Sequence, residues 1–237
     1  MSARGLVIIP AYNEAETIGS VLQGLRCTVS DLDRLVVNDG SRDATERIVT
    51  HLGERVLSLP CNLGYGRALQ AGIRYALLRG YDFVVFFDAD GQHDPKNVRQ
   101  LVTALLEGGV DMVIGSRFGN DRSYTGSFGR RMGQRLFSYL SLVLLGRRIY
   151  DTTSGLKAVR AAACQALMRG TFMDFHTEAI VRLGMMGFNI AEIPVSVYER
   201  KHGQSMYSIS SVVEYPIKTL VLTLVAAVDA ILQRRIQ

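Results

Sequence analysis

The chain has 237 residues, of which 48% are hydrophobic and 21% are charged, so it is long enough for one domain with a sizeable core. This composition excludes a collagen-like, low-complexity or wholly disordered chain. The formal net charge is +5, but no recognisable nucleic-acid-binding module accompanies it, so we expect no nucleic-acid partner. The three cysteines lack the spacing of a zinc ribbon or a disulfide framework, which favours a reducing, cytoplasmic location.

Short apolar runs alternate with helical patterns over the first 116 residues. Alternation at this spacing predicts βαβ units and a parallel sheet. The fourth run has five apolar residues without alternation, so we expect that strand to be buried on both faces. Asn13 and Glu16 form a candidate capping pair for the first helix. The predicted strands are 6–9, 35–37, 55–59, 83–87 and 112–115, and the predicted helices are 18–25, 44–52, 67–79 and one that starts at Asp94-Pro95.

The pattern changes after residue 118. A glycine-, serine- and arginine-rich segment leads into an apolar helix, and from residue 210 the chain is predicted to be one long apolar helix. We therefore expect a domain over residues 1–208 and a C-terminal amphipathic helix over 209–237. Between residues 118 and 210, the predicted features are an apolar segment at 136–145, a polar turn at 151–157, a helix at 177–186 and an extended segment at 190–197.

The apolar run 217–232 of the last helix contains 16 residues, including Lys218 and Asp229. As a helix it would be about 24 Å long at 1.5 Å per residue. That length is short of the roughly 30 Å hydrocarbon core of a bilayer. The segment is therefore expected to cover its apolar face in one of two ways without crossing a membrane. It either lies peripherally on the membrane surface or packs against protein, on the sheet or in a homodimer.

Two carboxylates, Asp88 and Asp90, follow the fourth predicted strand. Side chains two residues apart in extended backbone point to the same side. Two such charges repel each other unless a cation lies between them, and oxygen ligands of this kind suit Mg²⁺ or Mn²⁺. The next residues exclude an EF-hand, because His93 and Arg99 occupy the positions of its glycine and glutamate.

Polar motifs also follow the other predicted strands. The segment 10–14 follows the first strand, 38–41 the second, 62–66 the third and 115–117 the fifth. Glycines in 62–66, including Gly64, would let backbone approach a phosphate. Parallel sheets bind ligands outside the carboxyl ends of their strands, so these motifs are expected to share one binding rim.

Together these motifs resemble glycosyltransferase family 2, and within it the dolichol-phosphate mannose synthase-like branch. The resemblance implies a single GT-A domain, an α/β Rossmann-like fold with a mostly parallel central sheet flanked by helices. It also implies metal-dependent, inverting transfer of a hexose from a GDP-mannose- or UDP-glucose-type donor to a polyprenyl or dolichyl phosphate. The motifs that carry it are Ile9-Pro10-Ala11-Tyr12-Asn13-Glu14, Asn38-Asp39-Gly40-Ser41, Asn62-Leu63-Gly64-Tyr65-Gly66, Asp88-Ala89-Asp90-Gly91-Gln92, Gly115-Ser116-Arg117 and Thr153-Ser154-Gly155.

The resemblance also implies roles for single residues. Three basic positions match those around the acceptor phosphate, although Met206 replaces the lysine that usually ends the last motif of this branch. The carried-over positions are Pro10, Tyr12 and Glu14 for the base and ribose of the nucleotide, Asp39 for reading the base, Asp88 and Asp90 for the metal, Gln92 as a further metal ligand, and Arg117, Arg131 and Arg200 for the acceptor phosphate.

Other functions stay open at this point. A hydroxyl acceptor would need a general base, for which Glu178 and Asp151 are candidates. A nucleotidyltransferase would need a glycine- and arginine-rich loop after the first strand, which this chain lacks. A non-catalytic sugar-nucleotide-binding relative would not need the intact carboxylate pair. His93 and His176 are expected at helix starts or on the surface rather than in catalysis.

Overall fold

The computed structural model of the chain describes residues 3–118, 128–170, 174–198 and 211–234, with side chains described except at 128–132, 211–216 and 234. Strands and helices alternate through most of this length. In chain order they are β1 (Gly5–Ala11), α1 (Ile18–Thr28), β2 (Asp33–Asn38), α2 (Thr45–His51), β3 (Arg55–Ser58), α3 (Tyr65–Leu78), β4 (Phe83–Phe86), α4 (Lys96–Glu107), β5 (Met112–Ser116), α5 (Phe128–Leu145), β6 (Lys157–Arg160), α6 (Ala161–Met168), α7 (Thr177–Met185), β7 (Ile190–Pro194) and α8 (Ser211–Arg234).

The strands form one sheet in the order β3-β2-β1-β4-β6-β5-β7. Neighbouring strands are parallel except on the two sides of β6, which runs antiparallel between β4 and β5. The predicted α/β fold with a mostly parallel sheet is therefore confirmed. The sequence pattern predicts neither β6 nor α6, and Lys157, the first residue of the four-residue β6, falls within the predicted polar turn.

Helices cover both faces of the sheet, so β4 is buried on both sides as expected. Val84 and Phe86 pack into one cluster with side chains of α3, α6 and α7. Phe83 and Val85 pack into the other cluster with side chains of α1 and α4. Full burial of such side chains stabilises a fold by roughly 1.5–3 kcal/mol each. The two apolar layers leave the polar loops at the carboxyl ends of the strands as an exposed rim.

Helix α8 packs against α7 through its small and polar side chains rather than its large apolar ones. Arg182 of α7 is fully buried, forms an ion pair with Asp229 and donates to Oε1 of Gln233 at 2.7 Å. Within the described part of the chain, no helix is both long enough and apolar enough to cross a membrane. Over residues 217–233 of α8, the buried side chains are Thr219, Thr223, Ala226, Ala227 and Ala230.

Candidate active site

The loops that follow β1 and β2 are joined by hydrogen bonds at the rim. Asn13 N–H donates to Ser41 Oγ at 3.0 Å, and Arg42 N–H donates to Asn13 Oδ1 at 2.8 Å. Glu14 N–H donates to Thr45 Oγ1 at 2.8 Å. The predicted capping role of Asn13 is wrong, because its side chain accepts from the neighbouring loop and α1 begins later. The two loops thus form one rigid wall of the rim.

The residues predicted to hold a base and ribose lie on this wall. Pro10 is buried in β1, whereas the ring of Tyr12 is 39% exposed and Glu14 is half-buried. The carboxylate of Glu14 accepts from the hydroxyl of Thr17 at 2.9 Å. An exposed aromatic ring beside ordered backbone is suited to stack on a planar base. The roles of these three residues stay predictions.

Asp39 links three strand ends. It is only 4% exposed, and its N–H donates to the carbonyl of Ala11 at 2.9 Å. Its carboxylate accepts from Leu63 N–H at 2.8 Å and from Gly64 N–H at 2.9 Å. Asp39 therefore holds the loop after β3 in place, and base reading, which stays a prediction, would use its remaining lone pairs. The N–H of Gly64 already donates to Asp39. Gly64 would therefore contribute to phosphate binding by letting the backbone approach the phosphate closely, and not by donating that hydrogen bond to it.

Asp88 and Asp90 follow β4, and both are partly exposed on the rim. Oδ1 of Asp90 accepts from Gln92 N–H at 3.0 Å, which closes a tight turn. Tyr198 N–H donates to the carbonyl of Gln92 at 2.7 Å, so the loop is held from the side of β7 as well. The side chain of Gln92 is half-buried. The carboxylate pair is therefore presented by an ordered turn.

The carboxylate of Asp88 is enclosed by three groups. Tyr65 donates its hydroxyl to Oδ1 at 3.1 Å, and Nε2 of His93 lies 3.7 Å from Oδ2. A methyl group on Gly155 would lie 2.6 Å from Cγ of Asp88, so only glycine fits behind the carboxylate. Burial alone would raise the pKa of Asp88, but His93, Tyr65 and the charge of Lys157 hold the pKa below its ordinary value. His93 is only 6% exposed and lies three residues before α4, so of its two predicted positions it occupies the helix start and not the surface.

Arg117 follows β5 and forms a two-point ion pair with Asp151. Its Nε donates to Asp151 Oδ2 at 2.8 Å and its Nη2 to Oδ1 at 2.7 Å, while Nη2 also lies 2.8 Å from Oγ1 of Thr153. Asp151 is fully buried. Burial alone would raise the pKa of Asp151, but the guanidinium of Arg117 holds that pKa below its ordinary value. This pairing disfavours Asp151 as a general base and fixes the plane of the guanidinium.

Further titratable groups lie beneath the rim. Lys157 is 2% exposed, and burial lowers its pKa to about 8 although Asp151, Asp88 and Glu178 act in the other direction. Glu178 is 1% exposed, its Oε1 accepts from the backbone N–H of His176 at 3.1 Å, and burial raises its pKa. The carboxyl group of Glu178 is therefore shielded from solvent by the residues that the structure describes. Its role as a base stays a prediction.

His176 stands immediately before α7, as expected for a helix start. Its ring stacks on Tyr65 with 5.5 Å between the ring centroids and 8° between the planes. Burial and the nearby Lys157 lower its pKa to about 4, so the imidazole is neutral at pH 7. Tyr65 thus contacts both the ring of His176, by stacking, and the carboxylate of Asp88, by its hydroxyl.

Two predicted site residues cannot be placed. Arg200 lies outside the described residues, and Arg131 lies in α5 where side chains are not described. Conversely, the structure brings Tyr65 and Lys157 to the site, although sequence reasoning assigned neither a role. The signal that could have found Tyr65 was its position at the end of the glycine-containing loop. Lys157 comes two residues after the Thr153-Ser154-Gly155 motif. A single charged residue in a short segment does not indicate a site residue by itself.

The donor set on the rim fits a hard divalent ion. Asp88, Asp90 and Gln92 offer carboxylate and amide oxygens, which suit Mg²⁺ or Mn²⁺. In the described ranges, no group of three or more histidine, cysteine, aspartate or glutamate side chains could hold a metal ion by itself. Mg²⁺ commonly takes only one or two protein carboxylates and completes its shell with substrate phosphates and water. This rim suits that arrangement.

The mostly parallel sheet, with the carboxylate pair at its carboxyl edge, agrees with the GT-A glycosyltransferase fold that the motifs predicted. The Glycosyl transferase family 2 model matches residues 6–168, and the chain belongs to this family. A solved structure of glucosyl-3-phosphoglycerate synthase from Mycobacterium tuberculosis, in complex with Mn²⁺, UDP-glucose and phosphoglyceric acid, shares the fold with a TM-score of 0.74. It is 23% identical, and the match covers 95% of this chain and 80% of that one.

Two curated relatives are more similar in sequence. An undecaprenyl-phosphate mannosyltransferase from Micrococcus luteus is 34% identical over 215 residues, covering 86% of this chain and 88% of the relative. A polyprenol monophosphomannose synthase from Mycolicibacterium smegmatis is 31% identical, covering 89% and 83%. The chain is thus a glycosyltransferase of family 2, similar to the dolichol-phosphate mannose synthase-like branch as the motifs indicated. This membership excludes the nucleotidyltransferase alternative.

Proposed function

We propose that this chain transfers a hexose from a nucleoside diphosphate sugar to a polyprenyl phosphate, with a divalent ion at Asp88 and Asp90. The observation that carries the proposal is the contrast between exposed and buried charges at the rim. The carboxylate pair and Arg117 are partly exposed, whereas Asp151 and Glu178 are buried. A phosphate acceptor is already anionic and needs a cation to position it but no general base.

On the donor side, Tyr12 would stack on the base, Asp39 would read it, and Pro10 and Glu14 would shape the pocket for base and ribose. The names of both curated relatives specify transfer of mannose. GDP-mannose is therefore the first donor to test. UDP-glucose is the second, because a structure of the same fold contains it.

The reaction would break the bond between the anomeric carbon and the diphosphate, and an oxygen of the acceptor phosphate would form the new bond with inversion. The leaving diphosphate keeps the electron pair of the broken bond. When bound, Mg²⁺ or Mn²⁺ supplies a Lewis acid for that developing charge. Asp88 and Asp90 would hold the ion, Gln92 would add an amide oxygen, and Tyr65 and His93 would keep the Asp88 carboxylate oriented.

On the acceptor side, Arg117 would bind the lipid phosphate together with Arg131 and Arg200. Asp151 holds the Arg117 guanidinium from one edge and thereby lowers the entropy cost of ordering it on binding. A planar, preoriented guanidinium is well suited to a phosphate. The competing proposal, a hydroxyl acceptor with Glu178 as base, would require the buried carboxyl group to become accessible.

The full chain, incubated with Mn²⁺ or Mg²⁺, a polyprenyl phosphate and either GDP-mannose or UDP-glucose, tests this proposal. We expect a lipid-linked sugar, detected by mass spectrometry, whose formation stops when EDTA is added. Soluble hydroxyl acceptors are the parallel arm, and Glu178→Gln is the matched variant. Glycosylation of hydroxyl acceptors alone, abolished by Glu178→Gln, would assign Glu178 as the base and overturn the lipid-phosphate acceptor.

We also propose that the protein works peripherally, at the cytoplasmic face of the membrane that holds its acceptor. The outward faces of α5 and α8 expose large apolar side chains, which a lipid surface would cover. On α5, Tyr139 is 60% and Val143 is 62% exposed. Among the side chains of α8 that the structure describes, the exposed apolar ones are Ile217, Val221, Leu224, Val225, Val228, Ile231 and Leu232.

Val228→Glu should weaken binding to vesicles that contain polyprenyl phosphate. The side chain is 57% exposed, so the charge would not disturb the fold, but it would have to enter the lipid interface. Leu78→Glu, at a 78% exposed leucine of α3, is the matched control and should bind normally. Co-sedimentation with vesicles measures both variants. Equal binding by both would contradict the membrane contact, and a concentration-dependent dimer disrupted by Val228→Glu would assign the face to a homodimer.

Asp39→Ala should weaken nucleotide binding by about 1–3 kcal/mol, because the amides of Leu63 and Gly64 lose the carboxylate that accepts from them and the loop after β3 loosens. Calorimetric titration with GDP and UDP measures the effect. Asp31→Ala, at an exposed carboxylate that pairs with Arg99, is the control and should leave the affinity unchanged. Unchanged nucleotide affinity in Asp39→Ala would argue against this role.

A further inference from the structure

Lys157 occupies an unusual position for a lysine. Its side chain is 2% exposed, and it is the first residue of β6. In the sheet it pairs with Phe86 of β4 and with Ile114 of β5, near the carboxyl ends of both strands. Because β6 is antiparallel, its first residue lies at the same edge as those ends. The lysine is therefore buried below the rim, between the strand that leads to Asp88 and the strand that leads to Arg117.

Stability alone does not explain a buried lysine. Removing an ammonium group from water is costly, and replacing buried ion pairs by apolar side chains is often neutral or stabilising. Three carboxylates influence Lys157, namely Asp151, Asp88 and Glu178, and Arg117 opposes them. A methionine of similar length would fill the same space without the desolvation cost. The ammonium group is therefore expected to do something that an apolar side chain does not do.

A short series of contacts connects Lys157 to Asp88. Its Nζ donates to the backbone carbonyl of Ser154. The next residue, Gly155, lies against the Asp88 carboxylate so closely that an added methyl group would be 2.6 Å from Cγ and 2.7 Å from Oδ1. The turn that Lys157 holds is thus the surface on which the Asp88 carboxylate rests.

We propose that Lys157 is a positioning residue that, through the Ser154 carbonyl, sets the orientation of the Asp88 carboxylate toward the divalent ion. The inference rests on the proposed metal site at Asp88 and Asp90 and adds a residue that contacts neither the ion nor the substrates. Partners of this kind orient metal ligands, and their loss typically weakens metal binding.

The test uses Lys157→Met in the full chain. Free Mn²⁺ is measured by electron paramagnetic resonance during titration in the presence of GDP, so no turnover is needed. We expect Mn²⁺ affinity to fall by about tenfold or more, within the range known for such outer partners. The Mn²⁺ concentration for half-maximal activity should rise by a similar factor. GDP binding without metal should be unchanged.

Arg182→Met is the matched control, because it removes an equally buried cation that pairs with Asp229 away from the rim. It should lower the melting temperature and leave Mn²⁺ affinity unchanged. Unchanged or tighter Mn²⁺ binding by folded Lys157→Met would overturn the inference, since loss of a merely repelling cation would strengthen binding. If wild-type protein itself binds no Mn²⁺ with GDP, the metal proposal fails and this inference fails with it.

Should Lys157→Met not fold, Lys157→Gln is measured by the same criterion, because its neutral side chain is one atom shorter and does not replace the ammonium group at the Ser154 carbonyl. Weakened Mn²⁺ binding by folded Lys157→Gln, with GDP binding retained, would support the positioning role. Failure of both variants to fold would assign Lys157 to holding the fold and overturn the inference.

Discussion

Asp90→Asn is expected to lower kcat for sugar transfer by about 10²–10³-fold, the range seen when one preorganised electrostatic contact to a developing charge is removed. Asparagine keeps the oxygen that accepts from Gln92 N–H, so the turn after β4 should survive. The charge that would hold the divalent ion is lost. Stopped assays of lipid-linked sugar measure kcat, and circular dichroism verifies the fold.

The matched control is Asp94→Asn, four residues further along. Its Oδ1 accepts from Lys96 N–H at 2.9 Å and its Oδ2 from the hydroxyl of Tyr198 at 2.9 Å, so its carboxylate is used for structure. We expect kcat within about twofold of wild type, as for surface substitutions that cost under 0.5 kcal/mol. Full activity of Asp90→Asn in the presence of EDTA would refute the metal site.

Gly155→Ala should lower kcat by about 10²-fold, because a displacement of about 1 Å at a reacting centre has an effect of that size. The new methyl group would lie 2.6 Å from Cγ of Asp88 and would also contact its two carboxylate oxygens. The short aspartate side chain has little freedom to move away within the site. It would lose its present orientation and its hydrogen bond from Tyr65. Mn²⁺ affinity should fall together with kcat, whereas GDP binding without metal should not change.

Gly19→Ala is the control for this substitution. A methyl group there would meet only Cγ2 of Ile48, at the ordinary contact distance of 3.7 Å. Its position within α1 favours alanine over glycine. Activity should therefore stay at the wild-type level. Normal kcat and normal Mn²⁺ affinity in Gly155→Ala would show that the turn tolerates movement, and would also weaken the role inferred for Lys157.

The sequence by itself determined the order of the elements as far as β5 and the location of the rim. Hydrophobic periodicity and turn residues are local signals, so the strand predicted at 83–87 is found at Phe83–Phe86 and the helix predicted at 67–79 is found at Tyr65–Leu78. Once parallel strands are predicted, their carboxyl ends must share one edge. The convergence of the motifs around Asp39 and Asp88 on one rim therefore follows from the sequence alone.

The tertiary structure alone decided which charges are exposed and which are buried. The sequence contains Arg117 and Asp151, but only the fold joins residues 34 positions apart into one ion pair. It also inserts β6 between β4 and β5, which buries Lys157 beneath the rim. The fold also decides the orientation of α8. Arg182 of α7 contacts Asp229 and Gln233, so this side of α8 faces the protein and the large apolar side chains face outward. These outcomes depend on long-range packing and on the cost of burying unpaired charge, neither of which is encoded in a local pattern.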